Sequence, residues 1–199
     1  MPDLQQLKQL LAPWGELRPQ AASDWRGTRP LPQELVCLYE QIGPWGQVFH
    51  ERVGPVGSTL AVGGNPVCIP PLHKLFDLQS GYAWRSSPAQ PLPDWPEHWL
   101  VVAEQGGDPF ILDTLGGQVL FAFHGAGRWE PRPFAGDLFT AIGALATVAN
   151  THETLGEQEL DPDEGLTPPG RARIMTELAL FLGSEEQAGL MLAAWEYYE

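Results

Sequence analysis

The sequence predicts an α+β fold: a bent antiparallel β-meander with helices packed around it, followed by a C-terminal helical hairpin. Three observations carry this prediction. Residues 95–127 read WPEHWLVVAEQGGDPFILDTLGGQVLFAFHGAG, three short apolar runs separated by two glycine pairs. Glycine pairs reach positive φ without steric cost, so they suit tight turns between antiparallel strands. Stretches with apolar residues at helical spacing lie on both sides of that segment. The 50 residues after position 149 hold two more such stretches behind an acidic connector.

Taken in order, Asp3 with Gln6 has the spacing of a capping box and opens a short helix with Leu4, Leu7, Leu10 and Leu11 on one face. Pro13 and Gly15 end it. Pro32 suits a first helical position, and the run from Glu34 to Tyr39 continues a second helix toward Gly43, with Leu31, Leu35, Leu38 and Ile42 apolar. From Gly43 to Pro71 the chain is rich in glycine and proline, which predicts bent edge strands at 59–62 and 66–69 among loops. Leu72 to Gln79 predicts one or two helical turns. The prolines of 80–96, GYAWRSSPAQPLPDWPE, predict a surface loop. In the meander, strands are expected at 100–103, 110–112 and 119–123, with turns at Gln105-Gly106-Gly107-Asp108 and Gly116-Gly117. Phe134 to Thr147 predicts a helix with Leu138, Ile142 and Leu145 on one face. Thr167-Pro168-Pro169 opens another, with Ile174, Leu178, Phe181 and Leu182 apolar, and Gly183 stops it. Ser184 with Gln187 is a second capping-box pattern. Glu185 and Glu186 complement the positive end of a final helix carrying Leu190, Met191, Ala194 and Tyr197. The division expected is an α+β domain over 1–150 and an acidic connector with a helical extension over 151–199.

Composition narrows the function. With 43% hydrophobic residues the chain can bury a core, yet its apolar runs fall well short of the roughly 20 residues that cross a bilayer. The N-terminus MPDLQQLKQLL has no basic region followed by an apolar stretch, so a secretion signal is not expected and a cytoplasmic location is. Cys37 and Cys68 fit no metal spacing and read as two buried free thiols. There are 25 acids against 11 bases, a net charge of -14. Such a chain repels phosphate backbones and anionic membranes and attracts a basic partner. The imbalance is concentrated late: residues 150–199 hold 11 acids and 2 bases.

Catalytic and cofactor signatures are missing, so a non-enzyme with no cofactor is expected. Lys8 and Lys74 are the only lysines and neither follows glycine, which excludes a P-loop. Gly125-Ala126-Gly127 begins like a dinucleotide loop, but Glu130 stands where the third glycine belongs. His152-Glu153 opens an H-E-x-x-H pattern that fails at Gly156, and the remaining histidines, His50, His73, His98 and His124, are scattered, so no metal site is expected. Asp108 and Asp113 with His124 have the residue types of a hydrolytic site. Their places beside glycines give a simpler reading, as acceptors for backbone N–H groups in tight turns. The run Glu157, Glu159, Asp161, Asp163, Glu164 lacks the glycine and closing glutamate of a calcium loop and reads as a solvated linker. Most of the eight tryptophans read as core, with an exposed subset as a contact surface.

The residues of the meander and its flanks resemble the SUKH superfamily, typified by a fungal regulator of cell-wall glucan synthesis and abundant in bacteria as immunity proteins. The likeness runs over about residues 28–148. It rests on Leu31-Pro32 opening a helix, Trp99-Leu100-Val101-Val102-Ala103-Glu104, Gly106-Gly107-Asp108-Pro109-Phe110, Ile111-Leu112-Asp113, Val119-Leu120-Phe121 with His124, and Trp129 before a helix holding Phe134, Leu138 and Phe139. The resemblance implies a bent antiparallel sheet with packed helices and a non-catalytic role: binding and neutralising a cognate toxin, often a nuclease. Its alternative is a cytoplasmic adaptor or regulator of the same fold, for example in cell-wall synthesis. Trp99, Gly106, Gly107, Asp108, Pro109, Phe110, Asp113 and Trp129 are then scaffold. Contacts to a basic protein partner are expected from Glu153, Glu157, Glu159, Asp161, Asp163, Glu164, Glu185 and Glu186. The proline-rich loop at 80–96 and the acidic extension depart from the family pattern.

Overall fold

The computed structural model describes residues 3–48, 50–85, 87–88, 90–161 and 165–198. Its centre is a six-stranded sheet of β1 (Ser58–Leu60), β2 (Val67–Ile69), β3 (Trp99–Gln105), β4 (Asp108–Asp113), β5 (Val119–Phe121) and β6 (Arg132–Ala135). Each strand is antiparallel to the next in chain order. The glycine pair between β3 and β4 forms a two-residue turn with φ of +61° at Gly106 and +101° at Gly107, the double left-handed geometry of a type I′ hairpin.

Both sheet faces are buried. Val102, Phe110, Leu112, Val119 and Phe121 enter the main core, whereas Val101, Ile111, Leu120 and Ala122 face a smaller core with Tyr82 and Trp95. This is the two-residue alternation of strands. It breaks at one place: the register with β4 shifts between Val101 and Ala103, so Val102 and Ala103 both serve the main core. A second shift lies between Val119 and Leu120. Such bulges bend a sheet. Gln79 supports the first one, since its Oε1 accepts the Val101 N–H at 2.9 Å and its Nε2 donates to the Val101 carbonyl at 2.8 Å.

The helices are α1 (Leu4–Leu11), α2 (Gln33–Gln41), α3 (Leu72–Leu78), α4 (Leu138–His152), α5 (Pro168–Leu182) and α6 (Glu185–Trp195). α4 is apolar nearly all round and correspondingly buried, with α1, α2 and α5 against it. Its polar groups are provided for: Thr147 and Thr151 hydroxyls donate to the Gly143 and Thr147 carbonyls, both at 2.8 Å, and Asn150 Oδ1 accepts the Trp14 Nε1–H at 2.9 Å. α5 and α6 form the expected hairpin, joined by left-handed Gly183 and capped at Ser184, whose hydroxyl accepts the Gln187 N–H. Ile174, Leu178, Ala188, Met191, Leu192 and Trp195 join the core that α1, α2 and the sheet share.

Several expectations are corrected. Phe134 belongs to β6, and the helix begins at Leu138, where the Asp137 carboxylate accepts the Thr140 N–H. The strand at 67–69 is internal, flanked by β1 and β3. Residues 80–96 do not lie wholly on the surface, because Tyr82 and Trp95 are buried. Asp3 accepts from Gln5 instead of forming a box with Gln6. The acidic connector carries a small hairpin, β7 (Leu160–Asp161) with β8 (Gly165–Leu166). In α6 Leu190 faces solvent and Trp195 the core. The two cysteines are free but only half-buried. Among the described residues no helix is long and apolar enough to cross a membrane.

Candidate functional site

The β3–β4 hairpin tip stands between two hollows. Side chains alternate along β3, so Glu104 and Gln105 point to opposite sides, and each meets an aromatic residue there. Glu104 Oε2 and the Gly107 carbonyl lie 2.9 and 3.0 Å from the Tyr82 hydroxyl, and Gln105 Oε1 accepts the Trp195 Nε1–H at 2.6 Å.

The hollow on the Glu104 side measures about 440 Å³. Its aromatic wall comes from the 80–96 segment and the segment between β5 and β6. Tyr82 lies 5.5 Å from Trp129 and 5.8 Å from Trp95, and Trp95 meets Trp129 and Trp99 edge-on at 5.7 and 5.5 Å. Burial and the adjoining Glu104 carboxylate push the Tyr82 phenol well above its ordinary pKa.

The hollow on the Gln105 side is larger, about 530 Å³. It lies between the β1–β2 connection, the β7–β8 hairpin and the C-terminal Trp195-Glu196-Tyr197-Tyr198. Glu196 caps α6 at φ +51° and pairs with Arg132 at 2.5 Å, which turns the two tyrosines back along the helix. Tyr197 stacks on Trp195 at 4.8 Å, and the Arg171 guanidinium lies over Tyr198 at 5.4 Å. The Tyr197 hydroxyl is buried with no hydrogen-bond partner among the described residues. His152 also reaches this cavity, and burial holds its imidazole pKa below the usual value.

The structure brings together only part of the Asp108, Asp113 and His124 set. Asp108 Oδ1 accepts the His124 backbone N–H at 2.7 Å and lies 2.6 Å from His124 Nδ1. A carboxylate oxygen accepts only, so Nδ1 carries the proton in that contact. Asp108 therefore ties β4 to the segment after β5 instead of capping its own turn, which corrects the sequence expectation. Asp113 closes the other end of β4, roughly 16 Å along the strand. Its Oδ1 accepts the Leu115 and Gly116 N–H groups at 3.0 and 3.2 Å, the turn role expected. Slight burial opposes ionisation of Asp113, but those two bonds and one from Gln118 outweigh it and hold its pKa low. Among the described residues no hydroxyl or thiol hydrogen-bonds to His124, and no three acids, histidines or cysteines are grouped as metal ligands.

The other motif residues lie in the scaffold. The Trp99 carbonyl accepts the Trp95 Nε1–H at 3.1 Å, the Pro109 carbonyl accepts the Ala122 N–H at 3.2 Å, and Phe110 packs on Phe121, Phe134 and Trp195. The acidic candidates divide. Glu153, Glu157, Glu185 and Glu186 are exposed. Glu159 is partly buried, accepting from Arg173 at 2.9 Å and from the Gly156 N–H at 3.0 Å, and those bonds lower its pKa. Asp161 pairs into the small hairpin, and Asp163 and Glu164 lie outside the described residues. Sequence reasoning missed Arg171, Tyr82, Glu104, Trp195 and Tyr198, and took Tyr197 for a helix residue. The bunching of Trp195, Tyr197 and Tyr198 within four positions was the one local signal for the larger cavity. Comparison with protein-family models, with curated proteins and with solved structures gives no match for this chain.

Proposed function

We propose that the chain is a non-catalytic protein-binding domain that neutralises a basic toxin, such as a nuclease, by docking onto it. The observation that carries the reading is the surface of the C-terminal third. Glu153, Glu157, Glu177, Glu185 and Glu186 are exposed there, and the α5–α6 hairpin also exposes Leu180 and Leu190, at 72% and 65%. Apolar anchors within a mainly acidic surface are the makings of a protein contact: the leucines bury area and the carboxylates steer a basic partner. The resemblance of the meander to the SUKH superfamily supports the same reading.

The test is co-expression with the product of the adjacent reading frame in the native genome. Toxicity of that product alone, relief of it by this chain, and a complex of the two on gel filtration are expected. A harmless neighbour, or toxicity unrelieved with no complex, contradicts the reading and favours a cellular regulator.

A further inference from the structure

We propose that the cavity beside the C-terminal Trp195-Glu196-Tyr197-Tyr198 corner binds a small organic anion, a carboxylate or phosphate carried on an aromatic ring. Its volume, about 530 Å³, falls in the range of small-molecule sites. The inference goes beyond the protein-binding reading and stands or falls separately from it.

The argument rests on which polar groups at the cavity already have partners. Among the described residues two carboxylates reach it, Asp108 and Glu196. Both are engaged, Asp108 by the His124 N–H and ring, Glu196 by Arg132. The donors are not. Arg171 uses only its Nε, toward the Leu166 carbonyl at 3.2 Å, and its terminal nitrogens have no partner among the described residues. Five other arginines, Arg26, Arg29, Arg128, Arg132 and Arg173, are each ion-paired, whereas Arg18, Arg52 and Arg85 have no ion pair among the described residues and do not line this cavity. Arg171, at the cavity, lies over the Tyr198 ring with its fork unclaimed among the described residues. The Tyr197 hydroxyl is buried and unpartnered, a state that native structures rarely leave without a reason. The His152 ring has no hydrogen bond among the described residues, and burial lowers its pKa, so the neutral ring has one N–H to offer. Among the described residues, then, the acids at the cavity are satisfied and three donors are idle, which suits a ligand rich in acceptors.

Geometry adds the ring. Trp195, Tyr197 and Tyr198 form a continuous aromatic wall, with centroids 4.8 and 5.4 Å apart. The wall exists because Glu196 is left-handed, the one non-glycine residue with positive φ among those described. A planar anion would lay its charged end on the Arg171 fork, accept from Tyr197, and set its ring on that wall.

Calorimetric titration of the full chain with benzoate and phenyl phosphate tests this, with inorganic phosphate and benzamidine as comparisons. Saturable millimolar or tighter binding is expected for at least one aromatic anion, weaker binding for inorganic phosphate, and none for benzamidine. Arg171→Gln should weaken binding at least about tenfold, the effect of losing a charge-assisted hydrogen bond. Tyr197→Phe should weaken it several-fold while melting at the same or a higher temperature, since it removes only an unpaired hydroxyl. Absence of saturable binding by either aromatic anion, benzamidine binding as well as benzoate, or unchanged binding in both variants would overturn the proposal. None of these results bears on toxin neutralisation.

Discussion

The indole N–H of Trp195 donates to Oε1 of Gln105 at 2.6 Å, joining the last helix to the tip of the central hairpin across 90 residues of sequence. Trp195 is also in edge contact with Phe110 and Phe134 at 6.0 Å, so the same side chain locks α6 onto β4 and β6. The helical extension is therefore held by the sheet as well as by α4.

Removing the acceptor tests that link. Gln105→Ala leaves the buried Trp195 N–H unpaired, which costs about 1–3 kcal/mol. Urea denaturation should show a loss of that size, and hydrogen exchange should accelerate in α6 before it does in α4.

Gly170 offers a test with a reversed sign. Alanine is ordinarily better than glycine inside a helix, by about 1 kcal/mol. Here the added Cβ would collide with the Glu159 backbone carbonyl. Gly170→Ala should destabilise the protein by about 1–3 kcal/mol as the β7–β8 segment is forced off α5, read by the shift in denaturation midpoint. Unchanged or increased stability would show that this segment yields freely.

Acid sensitivity should begin with two histidines. Burial lowers the folded-state pKa of both His73 and His152, and Lys74 and Arg26 add to the effect at His73. The unfolded chain then binds protons that the folded chain refuses, so stability is full above the ordinary histidine value near 6.5 and declines as pH falls below it, until the folded-state values are passed. Thermal melts between pH 7.5 and 5 should show this decline, and His73→Gln with His152→Gln should flatten it.

The readability of the chain follows from how local each cause is. The β3–β4–β5 meander was legible because its turns are made by glycine pairs and its strands alternate within a few residues. The caps at Thr167 and Ser184 were legible for the same reason. β6 was not, because Arg132-Pro133 lacks strand character and Phe134 also fits a helix; only pairing with β5 makes it a strand. Tyr82 and Trp95 sat among prolines and looked exposed, but the Val101, Ile111 and Leu120 face of the sheet needed cover. Asp108 was misassigned since its acceptor role is decided by His124, 16 residues away. The larger cavity was least legible, assembled from residues 62 to 198 with no motif of its own.

The most direct test of the binding account is the association rate of this chain with the adjacent reading frame's product, measured by stopped flow at low and high salt. Steering by the acidic surface predicts a steep fall in rate as salt shortens the screening length. It also predicts a slower rate with a shallower salt dependence when Glu153→Gln, Glu157→Gln, Glu185→Gln and Glu186→Gln are combined, since the net charge falls from -14 to about -10. Equal rates at both salt concentrations, or no change in the combined variant, would contradict it.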